Sequence, residues 1–79
     1  MNNFVIAAKI HAPDLEPRER HLQIIETFDQ LKQGEGMELT NDHDPKPLYY
    51  QFMVERSGQF IWEYFENGPL HWKIIIVKK

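Results

Sequence analysis

The last third of the chain alternates between large apolar and polar residues and then turns back on itself. Phe60 and Trp62 stand two positions apart, which is the spacing of a strand with one buried face. The dipeptide Asn67-Gly68 follows, and it is typical of a two-residue hairpin turn in which both residues take positive φ. A second apolar stretch comes directly after it. The pattern predicts two antiparallel strands, 59–66 and 70–77, joined by a tight turn.

Two units of strand followed by helix precede this hairpin. The apolar stretch 4–10 predicts the first strand, and 37–40 predicts the second. Between them, apolar residues at helical spacing predict a helix that is capped by Asp14 and ends near Lys32. The predicted core-facing stripe of that helix consists of His21, Ile24, Ile25, Phe28 and Leu31.

A second helix is predicted from a group of residues that suits a helix start. The Asp44 carboxylate can accept hydrogen bonds from free helix amides, and Pro45 has the φ of a first helical position. This helix runs to about Arg56 and stops before Gly58. The order of elements is therefore βαβαββ. Because crossovers between parallel strands are right-handed, both helices should lie on one face of the sheet.

These elements predict an α+β fold. The expected architecture is a two-layer α/β sandwich, in which two helices cover one face of a four-stranded mixed sheet, as a single domain over 1–79. Hydrophobic residues make up 42% of the 79 residues and aromatic residues 13%. Large rings supply much apolar area per residue, so a core is expected in spite of the short length.

All four histidines are predicted to lie at one end of this sheet. The first three strands should be parallel, so their carboxyl ends meet there, together with the hairpin. His11 ends the first strand, His43 follows the second, and His71 begins the fourth. His21 lies in the first turn of the first helix. Open α/β sheets usually bind their ligands at this end.

The residues leave two kinds of site open there. An anion or another small ligand would use the amides of the helix starts. The candidate residues for it are Arg18, Arg20, His21, His43 and Asp44. A metal site would use His21, His43, His71 and His11, although no two histidines have the close spacing typical of a strong site. Structural roles compete with both, since capping explains Asp44 and a place in the core explains His21.

Composition excludes several classes of function. The net charge of −3 leaves no basic stripe for nucleic acid. The chain has no cysteine, which excludes disulfides, thiolate catalysis and cysteine-ligated metals. No apolar run approaches the roughly 20 residues of a membrane span, and no signal-peptide pattern is present, so the expected location is the cytoplasm. Without a nucleophile motif or a phosphate-binding loop, the chain is not expected to be an enzyme.

A second surface is predicted on the sheet face away from the helices. Its outward apolar residues are Val5, Ala7, Ile61, Phe65, Ile75 and Val77. Charged residues interrupt this set, which favours a modest interface, either with a partner protein or in a weak homodimer. The alternative function is therefore a pure protein–protein interaction domain without a ligand of its own. The competing interpretation is that the last strand is apolar on both sides because it is central.

Four segments resemble a bacterial family called domain of unknown function 2249. They are 15–21, 26–29, 41–52, which contains His43-Asp44-Pro45-Lys46-Pro47-Leu48, and Trp62-Glu63-Tyr64. That family is similar to the TusA/SirA-type sulfur carriers, so the resemblance implies a TusA-like βαβαββ sandwich. The carriers have Cys-Pro-x-Pro at the start of the first helix. Pro17 stands at the cysteine position here, and sulfur transfer is impossible without a thiol.

The resemblance also implies a partner. Members of the family are often joined to, or encoded near, hemerythrin-like di-iron domains and proteins of respiratory or nitrogen-oxide metabolism. The expected role is a non-catalytic binding or accessory module linked to redox metabolism, and a metal ion is the one cofactor left open. His21 and His43 fit the family pattern. Members commonly have an aspartate where this chain has His11, which weakens a ligand role for that histidine.

Overall fold

A computed structural model describes residues 4–79 and has the predicted element order βαβαββ. The elements are β1 (Val5–His11), a 3-10 turn (Ala12–Asp14), α1 (Arg20–Gln30), β2 (Glu35–Asn41), α2 (Lys46–Glu55), β3 (Phe60–Asn67) and β4 (Trp72–Lys78). Neither helix is long and apolar enough to cross a membrane in this part of the chain.

The sheet is mixed, with its four strands in the order β1-β2-β4-β3. β1 and β2 are parallel, and β4 is antiparallel to both of its neighbours, β2 and β3. The first three strands therefore all run in the same direction, which confirms the predicted fold. We call the end at which β1, β2 and β3 finish the carboxyl end of the sheet. Both helices start at this end, because each one follows a strand that finishes there.

Both helices cover the same face of the sheet, and the core lies between the two layers. The fully or almost fully buried residues of this core include Ile24, Ile25 and Phe28 of α1, Leu48 and Phe52 of α2, Met37 and Leu39 of β2, and Ile74 and Ile76 of β4. The rings of Phe28 and Phe52 meet edge to face at 5.2 Å and join the helices. The predicted apolar stripe of α1 is confirmed for its four apolar residues. His21 is exposed instead, because it lies in the first turn of α1 and its ring turns to Gln51.

Both predicted helix caps are wrong. Asp14 belongs to the 3-10 turn, and α1 begins only at Arg20, after a further turn over 17–19. Pro45 occupies the position before α2, where no side chain caps the helix. The Asp44 carboxylate accepts a hydrogen bond from the Tyr64 hydroxyl at 2.8 Å instead. Pro45 and Pro47 restrict the backbone φ angles at the start of α2, which has no side-chain cap within the described residues.

The predicted two-residue hairpin is also wrong. Asn67 pairs with Trp72, so the loop consists of residues 68–71, and only Gly68 in it has a positive φ, of 81°. Pro69 has no N–H to donate to a strand ladder, so β4 begins later than predicted. The Gly68 N–H donates to the His71 carbonyl at 2.7 Å and closes the loop. A Cβ on Gly68 would lie 2.6 Å from the Trp72 indole, so the ring packs directly on this glycine.

The open face, which is the sheet face away from the helices, is apolar mainly at its margins. Phe65, on the edge strand β3, is 56% exposed at one margin. The predicted outward position of Val5 is wrong, because Val5 pairs with Glu35, which shares its side of β2 with the core residues Met37 and Leu39. In the centre Ile75 is only 5% exposed, because it lies on the central strand β4. A Cβ on Gly36 would contact Phe4 at 3.3 Å as well as Ile75 and Val77. The chain therefore covers the middle of this face with its own side chains.

Candidate functional site

A cavity of about 130 Å³ lies at the carboxyl end of the sheet, between the starts of α1 and α2. Its polar lining residues are Arg20, His21, Asn41 and His43. The apolar lining residues are Ala12, Ile24, Leu39 and Leu48, together with the three prolines Pro17, Pro45 and Pro47. We call it the histidine cavity. It brings together residues from α1, from β2 and from the segment before α2.

Three of the predicted ligand-binding residues line this cavity. Arg20 and His21 come from the first turn of α1, whereas His43 follows the end of β2. These residues converge because β1 and β2 are parallel and finish at the same end of the sheet, so the helices that follow them both start there. The Arg20 Nε donates to the Leu15 carbonyl at 3.1 Å and fixes the arginine against the preceding turn. The two Nη groups of its guanidinium remain as further donors.

The two other predicted ligand-binding residues do not line the cavity. Arg18 is exposed in the turn before α1. Asp44 is adjacent to His43 in the sequence, but its carboxylate binds the Tyr64 hydroxyl. Asp44 therefore fastens the start of α2 to β3.

The four histidines do not meet at one point. The His11 ring contacts Thr40 at 2.8 Å on the open face, because alternate residues of a strand point to opposite faces. His71 is exposed in the hairpin loop. Within residues 4–79, no three His, Cys, Asp or Glu side chains lie close enough together to hold a metal ion. A metal bound by His21 and His43 would need its remaining ligands from elsewhere.

The hydrogen bonds of His21 assign its neutral tautomer. Gln51 Nε2 donates to the Glu55 carboxylate at 2.8 Å, which turns Gln51 Oε1 toward the His21 ring. This oxygen lies 2.7 Å from His21 Nδ1 and can only accept, so we assign the ring proton to Nδ1. The neutral ring then has a bare Nε2, which becomes an N–H donor when the ring is protonated.

His43 has the same arrangement. Its Nδ1 lies 2.6 Å from Asp42 Oδ1, and a carboxylate only accepts, so Nδ1 carries the proton of the neutral ring. This hydrogen bond is the main reason that the pKa of Asp42 is lowered, and the positive charge of Arg20 contributes to the same shift. Both imidazoles of the cavity therefore offer a lone pair at Nε2 when neutral and a donor when charged.

Asn41 is the lining residue that sequence reasoning missed. It is only 7% exposed, and its Oδ1 accepts the backbone N–H of Asp42 at 2.8 Å. That bond settles which end of the carboxamide is oxygen, and it leaves the amide NH₂ as a donor without a partner among residues 4–79. A signal was present in the sequence. Met37, Leu39 and Asn41 share one face of β2, so the last of them is a polar residue on the buried side.

The backbone amides of α2 contribute little to the histidine cavity. The Lys46 N–H, at the start of α2, already donates to the Asp44 carbonyl at 2.9 Å. The residues on either side of it are Pro45 and Pro47, which have no N–H. Of the first turn of α2, the Leu48 amide is the one left without a partner within residues 4–79. On the α2 side of the cavity, recognition therefore depends mainly on side chains.

A second, wider cavity of about 300 Å³ lies between α2 and β3 and is lined mainly by aromatic rings. Tyr49, Phe60 and Trp62 form most of its wall, and none of the predicted site residues lies there. The Trp62 indole nitrogen is buried without a hydrogen-bond partner within the described chain. The neighbouring Tyr64 has a raised pKa, first because it is partly buried and second because its hydroxyl donates to Asp44. The rings stabilise the fold through edge-to-face contacts, such as Phe52 with Trp62 at 5.7 Å.

Comparison with known proteins gives one match. A family model described as "Uncharacterized conserved protein (DUF2249)" matches residues 9–78. The matched range includes every residue that lines the histidine cavity. Searches among curated proteins and among solved structures found no match.

Proposed function

We propose that this chain, which belongs to the DUF2249 family of uncharacterised conserved proteins, is a small non-catalytic module that binds an anion in the histidine cavity. The observation that carries the proposal is the convergence of four donor-bearing side chains, Arg20, His21, Asn41 and His43, on one cavity. The Asn41 amide NH₂ is one of these donors, since it makes no hydrogen bond within residues 4–79 and is not fully buried, so a ligand in the cavity can accept from it.

The charges around the cavity support an anion and predict its pH dependence. Among residues 4–79, no carboxylate lines the cavity, and Arg20 is its one permanent positive charge. Asp42 offsets that charge from beside His43, and Glu55 is linked to the His21 ring through Gln51. Protonation of the imidazoles adds positive charge and two N–H donors. Anion binding should therefore strengthen on acidification, whereas a metal bound at Nε2 would be displaced by the same protons.

The experiment is an amide NMR titration with inorganic phosphate and with acetate at constant ionic strength. The backbone signals of Arg20, His21 and His43, and the side-chain NH₂ of Asn41, should shift together. The NH₂ of Asn67, in the hairpin, serves as the internal control. Shifts confined to the cavity and growing as the pH falls would support the proposal.

Two pairs of variants separate the site from general charge effects. Arg20→Gln should weaken binding about tenfold, as expected for losing a charged hydrogen-bond donor, while Arg18→Gln removes the same charge outside the cavity. His43→Ala should remove the pH dependence in part, while His71→Ala should not. If Arg18→Gln weakens binding as much as Arg20→Gln, or if no anion shifts the cavity signals, the proposal is wrong. Metal analysis of the purified protein tests the metal alternative directly.

A second candidate function is docking of a partner protein on the open face. The exposed Phe65 favours it, since its ring presents apolar surface at the margin of that face. A hemerythrin-like or respiratory partner, and with it a link to redox metabolism, is part of this second proposal. The test is co-purification of the native protein and a Phe65→Ser variant, with sedimentation to detect a homodimer. Loss of the same partner from the variant would support docking, and identical recovery would contradict it.

A further inference from the structure

β3 lies at the edge of the sheet and pairs with β4. The Lys79 N–H donates to the Gln59 carbonyl at 3.0 Å, and hydrogen-bonded pairs of antiparallel strands recur at every second residue. Phe60, Trp62 and Tyr64 fall between those pairs, so their backbone N–H and C=O groups point away from β4. Within residues 4–79 these groups have no hydrogen-bond partner. This edge can therefore accept a further strand.

The wider cavity lies directly beside this edge. Phe60 and Trp62 line it from β3, while Tyr49 and Met53 line it from α2, and we call it the aromatic cavity. Its three rings are half-buried and Met53 is 48% exposed, so all four side chains present surface to the space between them. A cavity of about 150 Å³ in a protein interior holds benzene, so about 300 Å³ has room for one aromatic side chain.

The outer side of α2 continues this surface. Tyr50, Met53 and Val54 stand three and four positions apart, so they form one apolar strip along the helix. Tyr50 is 59% exposed and Val54 is 81% exposed. Met53 belongs to the strip and also lines the aromatic cavity, so the two are continuous. Contiguous exposed apolar surface is typical of a site that binds another protein.

The charges of β3 favour a basic partner. Glu63 is exposed and makes no ion pair within residues 4–79, and its neighbour on β4 is the apolar Ile75. Glu66 is exposed too, 3.5 Å from Lys73. Opposite charges on adjacent strands stabilise the pair, and like charges destabilise it. A second copy of β3 would bring the same glutamates to the contact, whereas a strand with lysine or arginine would complement them.

We propose that β3 binds an extended segment of a partner protein as an additional antiparallel strand, with a large apolar side chain in the aromatic cavity and basic residues beside Glu63. The direction follows from the greater stability of antiparallel pairing per residue. Alternate residues of a strand point to opposite faces, so the residue opposite Trp62 faces the helical layer and its neighbours face the side of Glu63. The aromatic cavity shares no lining residue with the histidine cavity, so this inference is independent of anion binding.

The probe is a blocked seven-residue peptide that alternates lysine with apolar residues and has phenylalanine at its centre. At constant ionic strength it should shift the amide NMR signals of Met53 and Trp62. Hydrogen exchange of the Trp62 and Tyr64 amides should slow when the peptide binds, whereas the Ile61 and Glu63 amides, which face β4, should keep their rates. This alternation is specific to an added strand, because a ligand held by side chains alone protects no alternate set of amides.

Altered peptides test each part of the recognition. Alanine in place of phenylalanine should weaken binding about tenfold, since the ring loses its burial. Glutamate in place of the lysines should weaken it about fivefold. N-methylation of the phenylalanine amide should abolish binding, because it removes the donor that faces β3. N-methylation of the adjacent lysine amide, which faces away from β3, should leave the dissociation constant unchanged.

Two matched pairs of variants locate the contact on the protein. Met53→Ala should weaken binding of the phenylalanine peptide about threefold, since Met53 lines the cavity. Leu22→Ala changes an exposed apolar residue of α1 outside the cavity and should have no effect. Glu63→Lys should make the protein prefer the glutamate peptide, whereas Glu26→Lys, the same change of charge on α1, should keep the preference for lysine. Thermal unfolding shows whether each variant is folded.

The outcomes decide between an added strand, a self-association and no site at all. If the two N-methylated peptides bind alike, or if Ile61 and Glu63 gain as much protection as Trp62 and Tyr64, no strand is added and the inference is overturned. If sedimentation shows a dimer that protects the Trp62 and Tyr64 amides without peptide, the occupant is a second copy, and the inference is wrong. It is equally wrong if no peptide of the set binds. None of these results bears on anion binding at the histidine cavity.

Discussion

The two ends of the helical layer are held together in different ways. At the end away from the histidine cavity, the guanidinium of Arg56 donates to both carboxylate oxygens of Asp29, at 2.8 and 2.7 Å. Lys78 adds a hydrogen bond from its Nζ to the Asp29 carbonyl at 2.9 Å. At the carboxyl end of the sheet, the hydrogen bond between His21 and Gln51 links α1 to α2, and the cavity separates the two helix starts.

This difference shows which end of the helical layer has polar groups without hydrogen-bond partners among the described residues. At the far end, Arg56 binds the Asp29 carboxylate and Lys78 binds the Asp29 carbonyl, so the ends of α1 and α2 are joined there. At the cavity end, the Asn41 amide, the Nη groups of Arg20 and the two imidazole Nε2 atoms face an open space. A fold without a ligand gains stability by closing both ends in the same way. The asymmetry therefore supports a binding role for the cavity end.

The largest expected effect comes from the hairpin beside the cavity end. Gly68→Ala should destabilise the protein by about 2–4 kcal/mol, because its Cβ would meet the Trp72 indole at 2.6 Å in addition to the strain of positive φ. Gly58→Ala is the matched control, since Gly58 has a φ of 74° with no atom within 4 Å of its Cβ. It should cost about 1–2 kcal/mol. Urea unfolding measures both, and equal losses would show that Trp72 does not rest on Gly68.

The next effect concerns the hydrogen bond that fastens the start of α2 to β3. Tyr64→Phe should cost about 0.5–1.5 kcal/mol at neutral pH, because the hydroxyl donates to Asp44. The pKa of Tyr64 is raised above its ordinary value of 10.0, by burial first and by Asp44 second. The unfolded state therefore ionises first, so this contribution is complete below pH 10.0 and declines as the pH rises through the pKa of the folded state. The native protein should lose more stability than the variant in alkaline urea titrations.

The smallest effect comes from the far end and has the opposite pH dependence. Asp29→Asn should cost about 0.2–1 kcal/mol at pH 7, since the ion pair with Arg56 is partly exposed to solvent. The hydrogen bond from Arg56 is the main reason that the pKa of Asp29 lies below its ordinary value of 3.8. This contribution is present above pH 3.8 and declines as the pH falls through the lowered pKa.

Acid unfolding curves measure this last prediction. The native protein and Asp29→Asn should converge in stability as the pH falls below 3.8. A difference for Asp29→Asn that persists in strong acid would mean that the side chain stabilises the far end through packing. The comparison of the two ends would then need a different physical basis.

The fold was predictable because buried apolar residues recur along the sequence with the period of the helix or strand that carries them. The alternation around Phe60 and Trp62, and the helical spacing of Ile24, Phe28 and Leu31, both follow directly from one buried face. The sequence marks the start of a helix less clearly, since a carboxylate such as Asp44 can either cap the helix or accept a hydrogen bond from a residue on another strand. Only the three-dimensional position of Tyr64 decides between them. The predicted two-residue hairpin is wrong because Pro69, which follows Asn67-Gly68, has no N–H to donate to the strand ladder.

The sequence predicted only the part of the site that follows from the order and direction of the strands. The parallel strands placed His21 and His43 at one end, and both line the cavity. Asn41 was missed because a single asparagine at the end of a strand resembles any turn residue, and its burial depends on the helices packed above it. His11 and His71 lie at the same end but away from the cavity, since topology fixes the end of a sheet and not the face.

Pro45 and Pro47, on either side of Lys46, have a consequence for the proposed anion site. A pocket that recognises its ligand through main-chain amides can change preference only if a loop is rebuilt. On the α2 side of the proposed site, the contacts come mainly from side chains on a backbone that two prolines restrict, so a single substitution should alter the ligand preference while the backbone stays the same.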